Sequence, residues 1–256
     1  MKKSILINSK DRITGNSSKF QIQYNMRQFY KCDSFYITSV VIPSSFYVVN
    51  SNNNLLFFVD NNGGTHELII TPGNYTPSDL VSTIQTFLTS LNSNAGWTIS
   101  YNSNTGFFSF STTSLAFGLE AEQINNILFN LMGFPQQIYS VDTTTKTSTN
   151  VADLTGPRYL CINSSSLSFK YAFEPISSNI KLNDVICMIP IKVNSFDVII
   201  YENYNDESNK RPFGRDLPNI IDIYLTDEEG NAINLNGVEW SFNLVAFFTE
   251  IYPAKF

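Results

Sequence analysis

Most of the chain alternates between apolar and polar positions with the two-residue period of a β-strand. Residues 19–24, for example, place Phe20, Ile22 and Tyr24 on one face. The other predicted strands are short and rich in aromatic and β-branched residues. The predicted strands are 19–24, 34–43, 55–60, 65–70, 97–101, 107–111, 158–163, 166–173, 184–190, 196–201, 219–226 and 239–249. Many short strands separated by turn signals favour a sandwich or barrel over a parallel α/β sheet.

Two segments in the middle of the chain instead carry apolar residues at the spacing of an amphipathic helix. Thr76-Pro77-Ser78-Asp79 supplies a capping hydroxyl, a proline at the first helical position and an acid in the first turn. The second helix is predicted over about 120–132, with Gly133 as its stop. Because two strands lie between the helices, residues 71–134 are predicted to form a small inserted α/β unit, a helix–hairpin–helix.

The remaining strands lie on both sides of this insertion. We therefore predict an all-β fold, a jelly-roll β-sandwich built from residues 1–70 and 135–256, because eight or more core strands fit that architecture. Residues 141–153 are rich in Thr and predict a surface loop. Residues 202–218 hold much of the charge and predict a second, longer loop.

Composition excludes several function classes. Charged residues make up 15% of the chain, against roughly 25% in an average domain. The net charge is −6 with 16 Lys and Arg, so no direct nucleic-acid binding is expected. Apolar runs such as 55–59 fall far short of the roughly 20 residues of a membrane span, so none is expected. Polar residues from Asn8 onward also leave no room for the apolar core of a signal peptide.

Candidate catalytic and metal-binding residues are few. The single histidine, His66, has no motif around any partner, and we find neither a nucleophile elbow nor a phosphate-binding glycine loop. The three cysteines, Cys32, Cys161 and Cys187, are far apart and form no CxxC, which indicates buried small hydrophobes in a reducing compartment. The acidic stretch 227–231 fits a hairpin turn better than a calcium loop. We therefore expect no metal, no cofactor and no enzymatic activity.

The aromatic content is high for so few charges. The chain has 21 Phe and 13 Tyr, and depletion of charged residues is typical of protein–protein interfaces. A large ordinary core explains the same numbers equally well. Composition therefore leaves both interpretations open.

A resemblance to a known family is carried by seven short motifs in a fixed order. The motifs are Ile7-Asn8-Ser9-Lys10-Asp11-Arg12, Ser17-Ser18-Lys19-Phe20-Gln21-Ile22, Val40-Val41-Ile42-Pro43 with Ser44-Ser45-Phe46-Tyr47, Ile70-Thr71-Pro72-Gly73-Asn74-Tyr75-Thr76, Leu131-Met132-Gly133-Phe134, Ile223-Tyr224-Leu225-Thr226-Asp227 with Gly230-Asn231, and Leu235-Asn236-Gly237-Val238-Glu239-Trp240-Ser241. In this order the chain resembles the penton, or minor capsid, proteins of virophages and polinton-like viruses. The match covers most of the chain and is weakest over about 135–218.

The resemblance implies a structural role in a virion. It implies a jelly-roll protein that forms homopentamers at the vertices of an icosahedral capsid and contacts major capsid protein, with assembly in the host cytoplasm. It implies no catalytic residues and no cofactor. Two alternatives remain, a host-attachment or fibre-head module on the same sandwich, and a jelly-roll enzyme that acts on glycans through two close carboxylates.

Few individual residues are singled out for this role. The polar, turn-like segment Asn8, Ser9, Lys10, Asp11 and Arg12 is a candidate subunit-contact arm, with a capped strand start as the alternative. Gly230 and Gly237 are predicted to form the turns before the last strand, and Trp240 is predicted to pack into the core.

Overall fold

The computed structural model describes residues 1–24, 30–91, 96–120, 127–168, 184–204 and 210–250. Its contacts divide the chain into two units, residues 1–46 with 157–256, and residues 47–156. The helices are α1 (Pro77–Leu91) and α2 (Ile127–Leu131). The strands are β1 (Lys2–Asn8), β2 (Thr14–Gly15), β3 (Lys19–Gln23), β4 (Tyr30–Pro43), β5 (Leu55–Val59), β6 (Thr65–Ile69), β7 (Thr98–Asn102), β8 (Phe107–Ser111), β9 (Phe117–Glu120), β10 (Ile138–Thr143), β11 (Thr145–Thr147), β12 (Tyr159–Asn163), β13 (Val185–Pro190), β14 (Val198–Glu202), β15 (Arg211–Arg215), β16 (Ile220–Thr226) and β17 (Ser241–Glu250).

The first unit is a jelly roll. Its first sheet has the order β1-β17-β4-β14, with β15 beside β4 as well, and its second sheet has the order β13-β12-β16-β3-β2. Eight of these strands pair in nested fashion along the chain, β1 with β17, β3 with β16, β4 with β14 and β12 with β13, all antiparallel. This nesting defines the double Greek key of a jelly roll, so the predicted fold class is confirmed.

The core of the first unit lies between the inner faces of its two sheets. Alternation along β3 turns Phe20 and Ile22 inward, where they meet residues such as Phe242 from the first sheet. Burying each such side chain contributes about 1.5–3 kcal/mol of stability. The sandwich is therefore stabilised mainly by burial of the apolar side chains at alternate strand positions, a pattern already visible in the sequence.

The second unit, residues 47–156, has its own core. It contains one sheet of order β10-β9-β5-β6 and another of order β11-β8-β7. Helix α1 contributes Leu80, Ile84 and Leu88 to this core, where they join a cluster of phenylalanines. The boundaries differ from the expected 71 and 134, because β5 pairs with both β6 and β9 of this unit. Hairpin signals in the sequence do not tell which sheet a hairpin joins.

Two predicted loops contain strands. Residues 141–153 hold the end of β10 and all of β11, which pairs with β8 and buries Lys146 to 8% exposure. The ammonium group of Lys146 donates to Asp142 Oδ1 at 2.6 Å, so the cation is paired. The prediction of a loop was wrong here because β-branched threonine also suits a strand. Within 202–218, β15 pairs with β4, and residues 205–209 lie outside the described part.

The second predicted helix is described only as α2, since 121–126 lie outside the described residues. Glu120, the expected start of that helix, belongs to β9 instead. Gly133 ends the helix as predicted, with φ +85°, and its N–H donates to Asn130 O at 2.9 Å. Of the predicted strand 166–173, residues 166–168 do not belong to a strand and the rest lies outside the described residues. Among the described helices, none has the length and apolar character required to span a membrane.

Candidate subunit-contact surface

The outer face of the first sheet carries exposed apolar side chains near one edge. Val198 and Ile200 alternate with the buried Ile199 on β14, and Ile200 is 68% exposed. Ile200 lies directly opposite Val41 of β4, which is also exposed although both its neighbours are buried. We call Val41, Phe196, Val198 and Ile200 the apolar strip. Isolated exposed apolar residues are ordinary, but a contiguous group at a sheet edge is typical of a contact surface.

Phe196 lies two residues before the start of β14 and is included in the strip because of its exposure. Its side chain is 70% exposed, and its backbone has φ +71°, a left-handed conformation that bulky residues rarely adopt. The conformation is fixed by neighbours, because the Phe196 N–H donates to Ser44 O and the Ser44 N–H donates to Asp197 O, both at 2.8 Å. A strained backbone held in place by its surroundings is common at functional sites.

The sequence analysis did not identify the apolar strip. The available signal was the consecutive run Val198-Ile199-Ile200, which gives β14 apolar residues on both faces. An antiparallel strand with one face in water ordinarily alternates apolar and polar residues. Which face of β14 is exposed to solvent is determined by its pairing with β4 in the first sheet, which the sequence does not show.

The candidate contact arm, Asn8 to Arg12, is packed against the jelly roll itself. Asn8 ends β1, and Ser9–Asp11 form one turn of 3₁₀ helix that Asn8 caps through its side chain. Ser9 is fully buried, its N–H donates to Trp240 O, and its hydroxyl donates to Glu239. The guanidinium of Arg12 donates to Glu239 Oε1 at 2.6 Å and to Ser9 O at 2.7 Å. These contacts within the subunit match a capped strand end. A role of this segment in subunit contacts stays a prediction.

The Ser9–Arg12–Glu239 contacts predict an acid-sensitive step in stability. Hydrogen bonds from Ser9 and Arg12 hold the pKa of Glu239 below its usual range. A lowered folded pKa means that this contribution is complete above the unfolded value, roughly 4.3, and is lost as pH falls through the folded value. We expect Glu239→Gln to remove part of the decline in the free energy of unfolding between about pH 5 and 3.

Chemical denaturation at several pH values measures this effect. The same exchange at the exposed Glu67, Glu67→Gln, is the matched control. Parallel pH profiles for wild type and Glu239→Gln would contradict the assignment of this step to Glu239.

The other three predicted structural residues lie in the segment between β16 and β17. Gly230 has φ +87° and closes the turn in which its N–H donates to Asp227 O. Gly237 has φ +80° and follows Asn236, also left-handed, as in the two-residue Asn-Gly turns of hairpins. Trp240 is 3% exposed and belongs to the core cluster of the jelly roll.

A wide groove of about 970 Å³ with mixed polar and apolar lining lies over β3 and β16 of the second sheet. Its lining includes one carboxylate, Asp222, which accepts hydrogen bonds from the backbone N–H groups of Ser165 and Ser166 at 3.0 and 2.7 Å. Burial alone would raise the pKa of Asp222, but the serine hydrogen bonds outweigh it and keep the pKa below the usual range. A carboxylate held in this way is ionised and positions the Ser164–Ser166 turn.

Two of the candidate reactive residues, Cys161 and Cys187, lie on the neighbouring strands β12 and β13. His66 Nε2 lies 2.9 Å from Asp60 Oδ2 at the β5–β6 hairpin. Cys32, Cys161 and Cys187 are free and buried, as predicted, and burial raises their thiol pKa values to about 12, 11 and 12. Among the residues described, no three His, Cys, Asp or Glu side chains form a group that could hold a metal ion.

Comparison with known proteins gives matches in structure only. No family model matches the chain, and no curated protein matches it in sequence. The chain is similar to the crystal structure of the mavirus penton protein at 12% identity and a TM-score of 0.47, covering 97% of this chain and 100% of that one. It is also similar to a chain in the cryo-EM structure of the Sputnik virophage at 14% identity and a TM-score of 0.45, covering 98% and 97%.

Proposed function

We propose that this chain is a structural capsid protein of a virion, a penton-like subunit that assembles with copies of itself at the vertices and contacts major capsid protein. The single observation that carries the proposal is the apolar strip on the outer face of the first sheet, near its β14 edge. In the strip, the side chains of Phe196 and Ile200 are each more than two thirds exposed. Removing such side chains from water on assembly favours association without any chemical step.

Low charge and the order of the sequence motifs support the same role. With 15% charged residues, large areas of surface can be covered without burying unpaired charge. The virophage penton resemblance implies a homopentamer. A closed ring of identical copies needs two different complementary flanks on each subunit.

The mass of the purified protein tests the proposal. We expect light scattering and native mass spectrometry to give a homo-oligomer, with five copies as the proposed number, and a larger complex after mixing with a candidate major capsid protein. A strictly monomeric protein under all these conditions would contradict the proposal. A stable trimer would favour the host-attachment alternative.

A charge placed in the apolar strip should weaken this assembly. Ile200→Asp puts a carboxylate where the proposed contact excludes water, so we expect the oligomer to dissociate at least about 100-fold more readily, with the fold intact. Ile69→Asp is the matched control, since Ile69 is similarly exposed, at 64%, but lies on β6 of the second unit. Equal weakening by both variants, measured by sedimentation, would show that the apolar strip has no special role.

A further inference from the structure

The open edges of the two jelly-roll sheets differ in how well they are protected from pairing with another strand. In the second sheet, β2 has only two residues, and β13 carries a register irregularity and ends at Pro190. In the first sheet, β15 contains Pro212 and a register irregularity. Short strands, prolines and bulges are the usual devices by which proteins prevent strand addition at an edge.

Strands β1 and β14 lack most of these devices. Strand β1 pairs with β17 over seven residues and β14 pairs with β4 over five, both without a register shift or an internal proline. Lys2 and Lys3 are the charged residues of β1, and both stand at its start. No further strand covers either edge within the described ranges. Regular edges of this kind present unpaired N–H and C=O groups to which another strand can add.

The alternation of hydrogen bonds between β14 and β4 shows which backbone groups of β14 point away from β4, to the open edge of the sheet. The Ser44 N–H donates to Asp197 O, and the Asn203 N–H donates to Thr38 O. Alternate residues of an antiparallel strand bond to the same neighbour. The N–H and C=O groups of Val198, Ile200 and Glu202 therefore point to the open side.

The same reasoning applies to β1. The Met1 amino group donates to Phe248 O, and the Phe248 N–H donates to Met1 O. The Ser9 N–H donates to Trp240 O, so the odd-numbered residues bond to β17. The backbone groups of Lys2, Ser4, Leu6 and Asn8 consequently point to the open side.

We infer that β14 of one copy pairs with β1 of the next copy, so that the first sheet continues from subunit to subunit. This inference rests on the proposed self-assembly and names its contact. The occupant of each edge is a second copy of this chain, because β1 and β14 are opposite edges of the same sheet and match each other in strand direction. Joining them head to tail uses both flanks, as a closed ring requires.

Strand direction and side chains of the two edges are complementary. The four strands β1, β17, β4 and β14 alternate in direction, so β1 of the next copy, with the same face outward, runs antiparallel to β14. Leu6, 59% exposed, would then lie on the same outer face as Val198 and Ile200. The antiparallel arrangement also brings Lys2, on the outer face of β1 with Leu6, toward Glu202 on the outer face of β14.

Proline variants test the backbone pairing separately from side-chain burial. Ile200→Pro and Leu6→Pro each remove an N–H that points to the open side, and neither removes a hydrogen bond within the subunit. We expect each variant alone to stay folded by circular dichroism and to weaken self-association by about tenfold or more. Ile200→Val, which keeps the N–H and an apolar side chain, should assemble like wild type.

Mixing the two proline variants tests the head-to-tail arrangement. Leu6→Pro keeps an intact β14 edge and Ile200→Pro keeps an intact β1 edge, so the mixture should form a one-to-one heterodimer and no ring. Failure to form this heterodimer, or assembly of either single variant at wild-type strength, would overturn the inference. An oligomeric wild type with unaffected proline variants would leave the proposed function standing, whereas a monomeric wild type would contradict the proposed function itself.

Hydrogen exchange provides a second measurement if a proline variant does not fold. The amides of Leu6 and Ile200 should exchange at least about tenfold more slowly in the wild-type oligomer than in the dissociated protein. Equal exchange in the two states would overturn the inference.

Discussion

Trp240→Ala should cost about 3–5 kcal/mol of the free energy of unfolding, one of the two largest effects that we expect for a single substitution. The indole stacks on Phe242 with ring centroids 5.4 Å apart and meets the edge of Phe20 at 6.0 Å. Its Nε1–H donates to Ser17 O at 2.7 Å, so truncation leaves both a cavity and an unpaired buried carbonyl. Denaturant unfolding measures the loss.

Trp240→Phe separates these two contributions. Phenylalanine keeps most of the ring packing but cannot donate to Ser17 O, so we expect a loss of about 1–3 kcal/mol. A loss below about 1 kcal/mol for Trp240→Ala would show that the indole does not anchor the core. The backbone of residue 240 keeps its hydrogen bonds with Ser9 in both variants.

Phe58→Ala should have a comparable effect on the second unit, about 3–5 kcal/mol. Phe58 is 1% exposed and lies at the centre of an aromatic cluster. Its ring centroid lies 5.5 Å from Phe110, 6.0 Å from Phe129, 6.2 Å from Trp97 and 6.3 Å from Phe87. Aromatic pairs in these tilted and edge-to-face geometries contribute beyond the area they bury, so a cavity here loses several contacts together.

The adjacent residue supplies the matched control for this prediction. Phe57 lies next to Phe58 on β5, points to the opposite face and is only half-buried. Phe57→Ala should therefore cost clearly less than Phe58→Ala, as followed by hydrogen exchange of the β5 and β6 amides. Equal losses would contradict the assignment of Phe58 to the centre of this core.

Elements with local signals were predicted well from the sequence. Helix α1 begins at Pro77 as predicted, because its cap is made by neighbours in the chain. Thr76 N–H donates to Asp79 Oδ2 at 3.0 Å, and Asp79 N–H donates to Thr76 Oγ1 at 3.2 Å. The alternation of β3 and the glycine stop at Gly133 are likewise visible within a few residues of chain, although β3 pairs with the distant β16.

Elements whose stability comes from distant partners were predicted less well. Strand β1 was not recognised as a strand, since its hydrogen bonds go to β17 at the other end of the chain. Strand β11 was predicted to be a loop, since its sequence has few apolar residues. It forms a strand because it pairs with β8, and the carboxylate of Asp142 pairs with the buried ammonium group of Lys146. The hairpin of β5 and β6 was recognised, but its sheet partner β9 was not.

The sequence by itself determined the fold class, the first helix, the buried cysteines and the core position of Trp240, since alternation, capping and apolar burial are properties of short stretches of chain. Tertiary structure alone decided the nested order of the jelly-roll strands, the extent of the second unit and the exposure of Val41 and Ile200. The physical reason is that a strand has two faces and two edges. Which of them meet water depends on partners that lie far away in the chain.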